Sequence, residues 1–344
     1  MRAVICEKPG RMVVKEVARP SPSKGEILIK VKDTAICGSD IKTFKSKQPH
    51  SLVTLPLILG HEFSGVVEKV GSGVKGFSVG DRVVVNPSFA CGKCYYCRLK
   101  RYNLCDNLQQ LGHQLAGSFA EYTIANAPFV YRIPKGLSYE EASLTQPLAI
   151  GIHAVSRSKI KSGDFVAILG AGAIGQLIVQ LCRRKGARVL ITDVFDQRLK
   201  KAKSLGANFT LRGDERAFRE KVLTHTEGKG PDIVFEAAGN ILTMRQALET
   251  VRKGGSVVLV GLTAHESERI PWLTAVLKEL TLVGTIRYVP EDYSRAIDLM
   301  SRGAVRVKPI IQRTFLLDET PEVFEDISKS PAGVLRAVMK SENT

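Results

Sequence analysis

No stretch of the sequence approaches the run of about 18 apolar residues that a membrane-spanning helix needs, so no membrane partner is expected. The opening Met1-Arg2-Ala3-Val4-Ile5-Cys6 is too short an apolar run for the core of a secretory signal. A cytoplasmic protein with reduced cysteines is the expectation. Acidic residues are in deficit: 34 Asp and Glu against 50 Lys and Arg leave a formal net charge of +16. That balance suits nucleic acid, an anionic membrane, an acidic substrate, or simply a heavily charged, solvated surface. Runs of about five to eight basic residues, which mark nucleic-acid patches, are missing. The basic residues come instead in short groups such as Lys100-Arg101, Arg183-Arg184-Lys185 and Lys200-Lys201, so nucleic-acid binding is not expected. Internal repeats and low-complexity segments are also absent. What remains is an ordinary globular composition, 44% hydrophobic and 24% charged over 344 residues. That length suits two domains of about 150 residues each.

Among the seven cysteines, four stand in one short stretch, Cys91-x2-Cys94-x2-Cys97-x7-Cys105. Four thiolates in a loop supply a closed tetrahedral zinc site with no open position, hence a structural one. An iron–sulfur cluster is the rival, but the ferredoxin pattern has a short third gap followed by proline. A structural zinc would clamp a loop that has little else to order it. Cys6 and Cys182 read as apolar residues on a strand and a helix.

Up to about residue 90 the pattern is β-rich. Short β-branched runs at 3–5, 12–14, 26–31, 65–70 and 82–85 are punctuated by Pro9-Gly10, Pro20-Ser21-Pro22, Gly71-Ser72-Gly73 and Gly80-Asp81. Closely spaced short strands predict a small barrel-like β domain, with further strands at 119–124 and 129–133. Beyond Tyr139 the period changes. A helix is expected over 142–155, and then strands and helices alternate. The strands fall at 165–169, 188–192, 232–236, 256–260 and 281–286, with helices at 174–184, 197–205 and 242–251. Near-continuous apolar strands separated by amphipathic helices mean a parallel sheet covered on both faces. The tail predicts a helix over 293–301 and strands at 312–315 and 335–339.

Gly170-Ala171-Gly172-Ala173-Ile174-Gly175 fits G-x-G-x-x-G, directly after one predicted strand and opening a predicted helix. Gly170 makes the tight turn, Gly172 lets backbone approach a pyrophosphate, and Gly175 permits close helix–strand packing. The helix N-terminus, with Ile174 in its first turn, offers free N–H groups to the phosphates. Asp193 ends the next strand, 18 residues after Gly175. A carboxylate there accepts from the ribose hydroxyls and repels a 2′-phosphate, which predicts NAD over NADP. Arg198, close by, would tolerate a phosphate.

Cys37, His61 and Glu62 offer thiolate, imidazole and carboxylate. Three protein ligands plus water form a catalytic zinc sphere. The competing reading is a buried free cysteine and a surface His-Glu pair.

Taken together, Cys37-Gly38-Ser39-Asp40, Gly60-His61-Glu62, Gly80-Asp81-Arg82-Val83, the four-cysteine lobe, Gln146-Pro147-Leu148-Ala149, the Gly170 loop and Gly284-Thr285-Ile286-Arg287-Tyr288 resemble the zinc-containing medium-chain dehydrogenases. Within that family the chain is most similar to the sorbitol (polyol) dehydrogenase branch, end to end. The resemblance implies an α/β plus β fold: a GroES-like β-barrel catalytic domain in two segments with an inserted Rossmann parallel-sheet domain. Its expected bounds are 1–148 for the catalytic domain, with the zinc lobe at 86–106, 149–286 for the Rossmann domain, and 287–344 for the return. It also implies two zinc ions per chain, NAD, a small polyol or sugar substrate, and a homotetramer or dimer. Zinc would act as Lewis acid on the substrate hydroxyl, and hydride would pass to the nicotinamide.

Several positions depart from the family pattern. Ser39 matches the hydroxyl that starts the proton relay, but Lys42 stands where relatives end that relay in histidine. Lysine, with an ordinary pKa of about 10.4, is a poor proton acceptor at neutral pH. Gln146 stands where polyol enzymes carry Glu, which removes a negative charge near the metal and shifts weight onto Glu62. Arg287 matches a pocket arginine, Thr43 replaces a tyrosine of the pocket wall, and His113 is a further pocket candidate. Lys42, Arg287 and Gln146 together favour an anionic substrate, so a sugar acid is carried as the alternative. A non-catalytic nucleotide-binding protein on the same fold is the rival from another class.

Overall fold

The computed structural model describes residues 1–45, 53–214, 217–262, 270–330 and 334–341. The chain divides into two compact units, one of residues 1–146 with 289–344 and one of residues 147–288. The chain first crosses between them inside the helix Thr145–Arg157.

In the first unit, the long strand Glu26–Ala35 is the hub. It pairs antiparallel with Glu62–Val70, with Tyr122–Asn126 and with Arg336–Lys340. Among the described residues the sheet runs Val130–Arg132, Arg82–Val85, Glu62–Val70, Glu26–Ala35, Arg336–Lys340, Ile311–Leu316. All three pairings of the hub join residues far apart in sequence, so the strand expected at 335–339 finds its neighbour only in the fold. Alternate inward residues of these strands, with Phe63, Phe119 and Phe324, form the core.

The hub also carries a buried carboxylate, Asp33, paired in register with Ser64 and Lys340. Burial raises its pKa to about 6; Glu140 pushes the same way while Lys340 opposes. The folded-state pKa lies above the unfolded value, so the group is most compatible with folding when protonated. Stability is therefore lost as pH climbs from about 4 through 6, by on the order of 3 kcal/mol. Asp33→Asn is expected to raise the melting temperature at pH 7.5 and to leave it unchanged at pH 4. Thermal melts at the two pH values check this, and an equal shift at both would contradict it.

In the second unit, the described strands form a six-stranded parallel sheet in the order Phe209–Arg212, Arg188–Asp193, Phe165–Leu169, Ile233–Glu236, Ser256–Leu259, Thr281–Gly284. This is the doubly wound dinucleotide-binding order. Phe165–Leu169 is buried at every residue, as a central strand covered on both faces must be. The edge strand Phe209–Arg212 is not anticipated by sequence pattern. It is four residues long and buries only Leu211, so it has neither a continuous apolar run nor a clean alternation. The helix expected over 142–155 is in fact two, Tyr139–Ser143 and Thr145–Arg157. The first starts in a capping box, Ser138 Oγ accepting from Glu141 N and the Glu141 carboxylate from Ser138 N.

Candidate active site

Register places the three candidate ligands of the first unit side by side. Ala35 on the hub strand lies opposite Glu62 on its neighbour. Cys37 thus emerges two residues past the end of one strand, next to His61 at the start of the other. The ligand atoms of Cys37, His61 and Glu62 all lie within 4.8 Å of one another. His61 and Glu62 are buried and Cys37 is half-buried.

Backbone close packing fixes His61. Gly60 has φ +96, and a Cβ there would sit 2.8 Å from Ser118 Oγ and 2.9 Å from the Phe119 ring. Gly117 and Gly112 lean on the Gly60 backbone so closely that either Cβ would meet its carbonyl oxygen, at 2.3 and 2.7 Å. Only glycine fits at these contacts.

Two charged residues that sequence reasoning gave no role complete the surroundings. Asp40 is buried; its Oδ2 accepts from Cys37 N at 2.9 Å, and its Oδ1 lies 3.5 Å from His61 Nδ1. Burial opposes ionisation of Asp40, but His61 outweighs it and holds the carboxyl below its usual range. For His61 burial lowers the pKa, while Asp40 and Cys37 together push it well above the ordinary value. Arg336, from the far end of the chain, donates to Glu62 Oε1 at 3.1 Å and to Ile36 O at 3.0 Å. Burial raises the pKa of Glu62, with Arg336 the main opposing influence. One oxygen of Glu62, Oε2, is buried without a hydrogen-bond partner, and so is His61 Nδ1.

These residues fit zinc. The donor set is sulfur, nitrogen and oxygen, the carboxylate has an unused oxygen, and the neighbouring charges orient ligands rather than saturate them. The signal for Arg336 was present in the sequence: a charged residue inside Leu335-Arg336-Ala337-Val338-Met339 needs a buried partner. Which partner was invisible, because it lies 274 positions away.

The four cysteines form the second cluster, their sulfurs likewise within 4.8 Å. Among the described residues no cysteine is in a disulfide. Backbone N–H groups of Lys93 and Cys94 donate to the Cys91 sulfur and hold its pKa down to about 6. Cys91 N in turn donates to Cys105 Sγ at 3.2 Å. Thiolate-stabilising amides and closed four-sulfur geometry fit a structural zinc.

The helix Gly38–Lys45 presents the relay candidates, with Ser39 half-buried, Lys42 exposed and Thr43 buried. Gln146 is buried with Oε1 unpartnered. His113 packs edge to face on His61, ring centroids 5.3 Å apart.

In the second unit the glycine loop connects Phe165–Leu169 to the helix Ala173–Arg184. Gly170 takes φ +108, and a Cβ would clash with Ala238 N at 2.9 Å. At Gly175 a Cβ would lie 2.0 Å from Gly170 O, whereas Gly172 has nothing within 4 Å. That open position at the helix N-terminus, with half-buried Ile174 in the first turn, is where a pyrophosphate fits. Asp193 ends the neighbouring strand and accepts from Ala171 N at 2.8 Å and Phe195 N at 3.1 Å. Arg198 Nη1 stands 3.6 Å from the same carboxylate. The carboxylate is thus held at the strand end beside the loop, where a ribose would lie. Arg287 follows the last strand in a left-handed backbone conformation, φ +53, and is half-buried.

Among the described residues no helix is long and apolar enough to cross a membrane. Residues 23–135 match the alcohol dehydrogenase GroES-like domain, and residues 173–302 match the zinc-binding dehydrogenase family. The chain is 36% identical to a sorbitol dehydrogenase of Halalkalibacterium halodurans, over 94% of each chain. It is 35% identical to a D-arabitol-phosphate dehydrogenase of Enterococcus avium, covering 95% of this chain and 94% of that one. The solved structure of a zinc-binding dehydrogenase from Sinorhizobium meliloti, bound to NADP, superposes with a TM-score of 0.91 at 33% identity over 98% of both chains. Two thiol-bearing metal clusters on a GroES-like unit, a parallel sheet with its glycine loop, and relatives matched end to end place this chain in the zinc-containing medium-chain alcohol dehydrogenases, in the sorbitol (polyol) dehydrogenase-like branch.

Proposed function

We propose that the protein oxidises a secondary hydroxyl of a polyol or sugar, with NAD as hydride acceptor. The observation that carries this is the convergence of Cys37, His61 and Glu62. Zinc bound there would supply Lewis acidity to the substrate oxygen, and the nicotinamide would take the hydride. The chain's own residues do the rest. Arg336 holds Glu62 by Oε1 and leaves Oε2 without a hydrogen-bond partner, the oxygen that would ligate zinc. Asp40 ties the Cys37 backbone to His61, which sets the ring orientation. Ser39 is the hydroxyl through which the proton leaves, and the relay ends in water, because Lys42 is a poor proton acceptor at neutral pH.

Asp193 gives the cofactor preference. Its carboxylate repels a 2′-phosphate, and Arg198 beside it is engaged with that carboxylate rather than free for phosphate. The Sinorhizobium relative is bound to NADP, so the preference for NAD rests on these side chains of the present chain and not on the fold.

A second reading keeps the chemistry and changes the substrate to an anion, a sugar acid or a sugar phosphate. Arg287 and Lys42 as cations, and Gln146 in place of a carboxylate, favour it, and the arabitol-phosphate dehydrogenase is a relative acting on such a substrate. The four cysteines hold a second, structural zinc. The proposed domains are a catalytic one of residues 1–148 with the return 287–344, and a dinucleotide-binding one of residues 149–286. Assembly is proposed to be homo-oligomeric, a dimer or tetramer. Trp272, Leu273, Val276 and Leu277 are exposed just before the edge strand Thr281–Gly284, and an open edge with apolar neighbours suits a second copy of the chain.

One screen tests the reading: kcat/KM for polyols, aldonates and polyol phosphates with NAD and NADP. The expected result is oxidation of a polyol-type substrate with NAD favoured at least about tenfold. Preference for NADP would overturn the role given to Asp193. Activity on anions that Arg287→Ala removes, while sparing neutral polyols, would select the second reading.

A further inference from the structure

We propose that Glu236 is a positioning residue for the dinucleotide: buried beneath the crevice at the strand ends, it holds the loop 237–239 against the first glycine of the nucleotide loop. The proposal rests on the NAD reading above and adds a residue that the glycine motif does not contain.

Glu236 ends the strand Ile233–Glu236, and its register partner on the neighbouring strand is Leu169, the residue before Gly170. The sheet order reverses between these two strands. From Phe165–Leu169 the chain builds outward through Arg188–Asp193 to Phe209–Arg212, then returns to add Ile233–Glu236 on the other side. A dinucleotide on this fold lies across the crevice at that reversal, outside the carboxyl ends of the strands. The loop after Glu236 is pressed onto the glycine loop there. Ala237 N donates to Leu169 O at 2.8 Å. A Cβ on Gly170 would sit 2.9 Å from Ala238 N and 3.0 Å from Ala237 C. Any shift of the loop 237–239 therefore reaches Gly170 directly.

Glu236 is fully buried, whereas Ala238 is exposed and Ala237 and Gly239 are half-buried. Its Oε1 takes three donors: Ala238 N at 3.0 Å, Gly239 N at 2.8 Å and Thr243 Oγ1 at 2.7 Å. All three are neutral groups, and the other oxygen, Oε2, is buried without a hydrogen-bond partner. It fills the space a side chain on Gly261 would need, 2.6 Å from the Cβ position. Val260 N and Gly261 N both donate to the Glu236 carbonyl at 2.9 Å. One residue thus fastens the loops that follow two adjacent strands, Ile233–Glu236 and Ser256–Leu259. Burying a carboxyl group with an unmet oxygen costs stability. An apolar side chain would avoid that cost, but it would leave two backbone N–H groups of the crevice loop without an acceptor. The start of the helix Ile241–Thr250 does not require Glu236, because Asn240 Oδ1 already accepts from Thr243 N at 3.0 Å. An anchor that served stability alone would give a different experimental outcome.

The test follows NAD binding by calorimetry on the zinc-loaded protein, beside thermal melts, zinc content and kinetics on the polyol that the screen selects. Wild type is compared with Glu236→Leu, Glu236→Gln and Thr243→Val. Val222→Ala, at a fully buried apolar position in the core of the same unit, is the control. Glu236→Leu is expected to weaken NAD binding about tenfold, the scale of losing hydrogen bonds to a charged acceptor. The loss falls on KM for NAD, while kcat at saturating NAD and zinc per chain stay within about twofold of wild type. Glu236→Gln keeps an acceptor and recovers most of the affinity. Thr243→Val removes one donor of three and weakens NAD binding about threefold. Val222→Ala lowers the melting temperature and leaves NAD affinity at the wild-type level. NAD affinity that is unchanged in Glu236→Leu, or that falls equally in Val222→Ala, overturns the proposal while leaving the NAD reading intact. Where Glu236→Leu does not fold, wild-type affinity in Thr243→Val overturns it. A wild-type protein that binds no NAD overturns both.

Discussion

Arg336→Ala is expected to cost about 3–5 kcal/mol of stability and to weaken metal binding at the Cys37 site by about 10–100-fold. The size follows from burial. The Arg336 and Glu62 side chains are 7% and 0% exposed and 3.1 Å apart. Removing the guanidinium strands a carboxylate in the protein interior, and its charged form then has no counter-ion. It also frees the Ile36 carbonyl that Arg336 caps at 3.0 Å, one residue before Cys37. Both ligand-bearing strand ends therefore lose a tether at once. Arg336→Lys keeps the charge but cannot span both acceptors in one plane, so an intermediate loss is expected. The double substitution Arg336→Met with Glu62→Leu should recover most of the stability, because a buried ion pair is readily replaced by packed apolar groups. It should not recover the metal. Thermal melts and zinc titration of the variants make the check. A wild-type melt for Arg336→Ala would show that this pair does not hold the fold.

His61→Ala is expected to drop zinc from about two ions per chain to about one and to reduce kcat/KM at least about a thousandfold, the loss expected for several kcal/mol of Lewis-acid stabilisation. The remaining ion is held by Cys91, Cys94, Cys97 and Cys105, which form a separate cluster. Cys97→Ser is the mirror experiment. Cys97 is 3% exposed within the lobe, so its loss should remove the other ion and loosen residues 91–105 to proteolysis. If His61→Ala keeps both ions, the catalytic metal is held elsewhere. If Cys97→Ser keeps both, the lobe does not need its metal. Metal analysis beside steady-state kinetics separates these outcomes.

Much of this is legible in the amino-acid sequence alone. Local spacing carries a closed four-thiolate site, because all four ligands lie within one short loop. The glycine loop is equally local: a turn, a backbone approach and a helix start follow one another in six residues. Alternation of apolar strands with amphipathic helices announces a parallel sheet for the same reason, since each element's period is written in its own residues.

Other features needed the fold. The pairing of Ala35 with Glu62 turns a distant cysteine and a Gly-His-Glu segment into one site, and no local period encodes register between strands far apart in sequence. Arg336 looked like one residue of a final strand until that strand was found beside the hub. His113, a pocket candidate from the sequence, meets the His61 ring only because Gly112 packs on Gly60. The edge strand Phe209–Arg212 was too short and too exposed to leave a pattern. By itself the sequence determined the chemistry available, which thiolates, imidazoles, carboxylates and glycines the chain brings. Only the tertiary structure decided which of them meet, because burial and strand register act between residues that the chain keeps far apart.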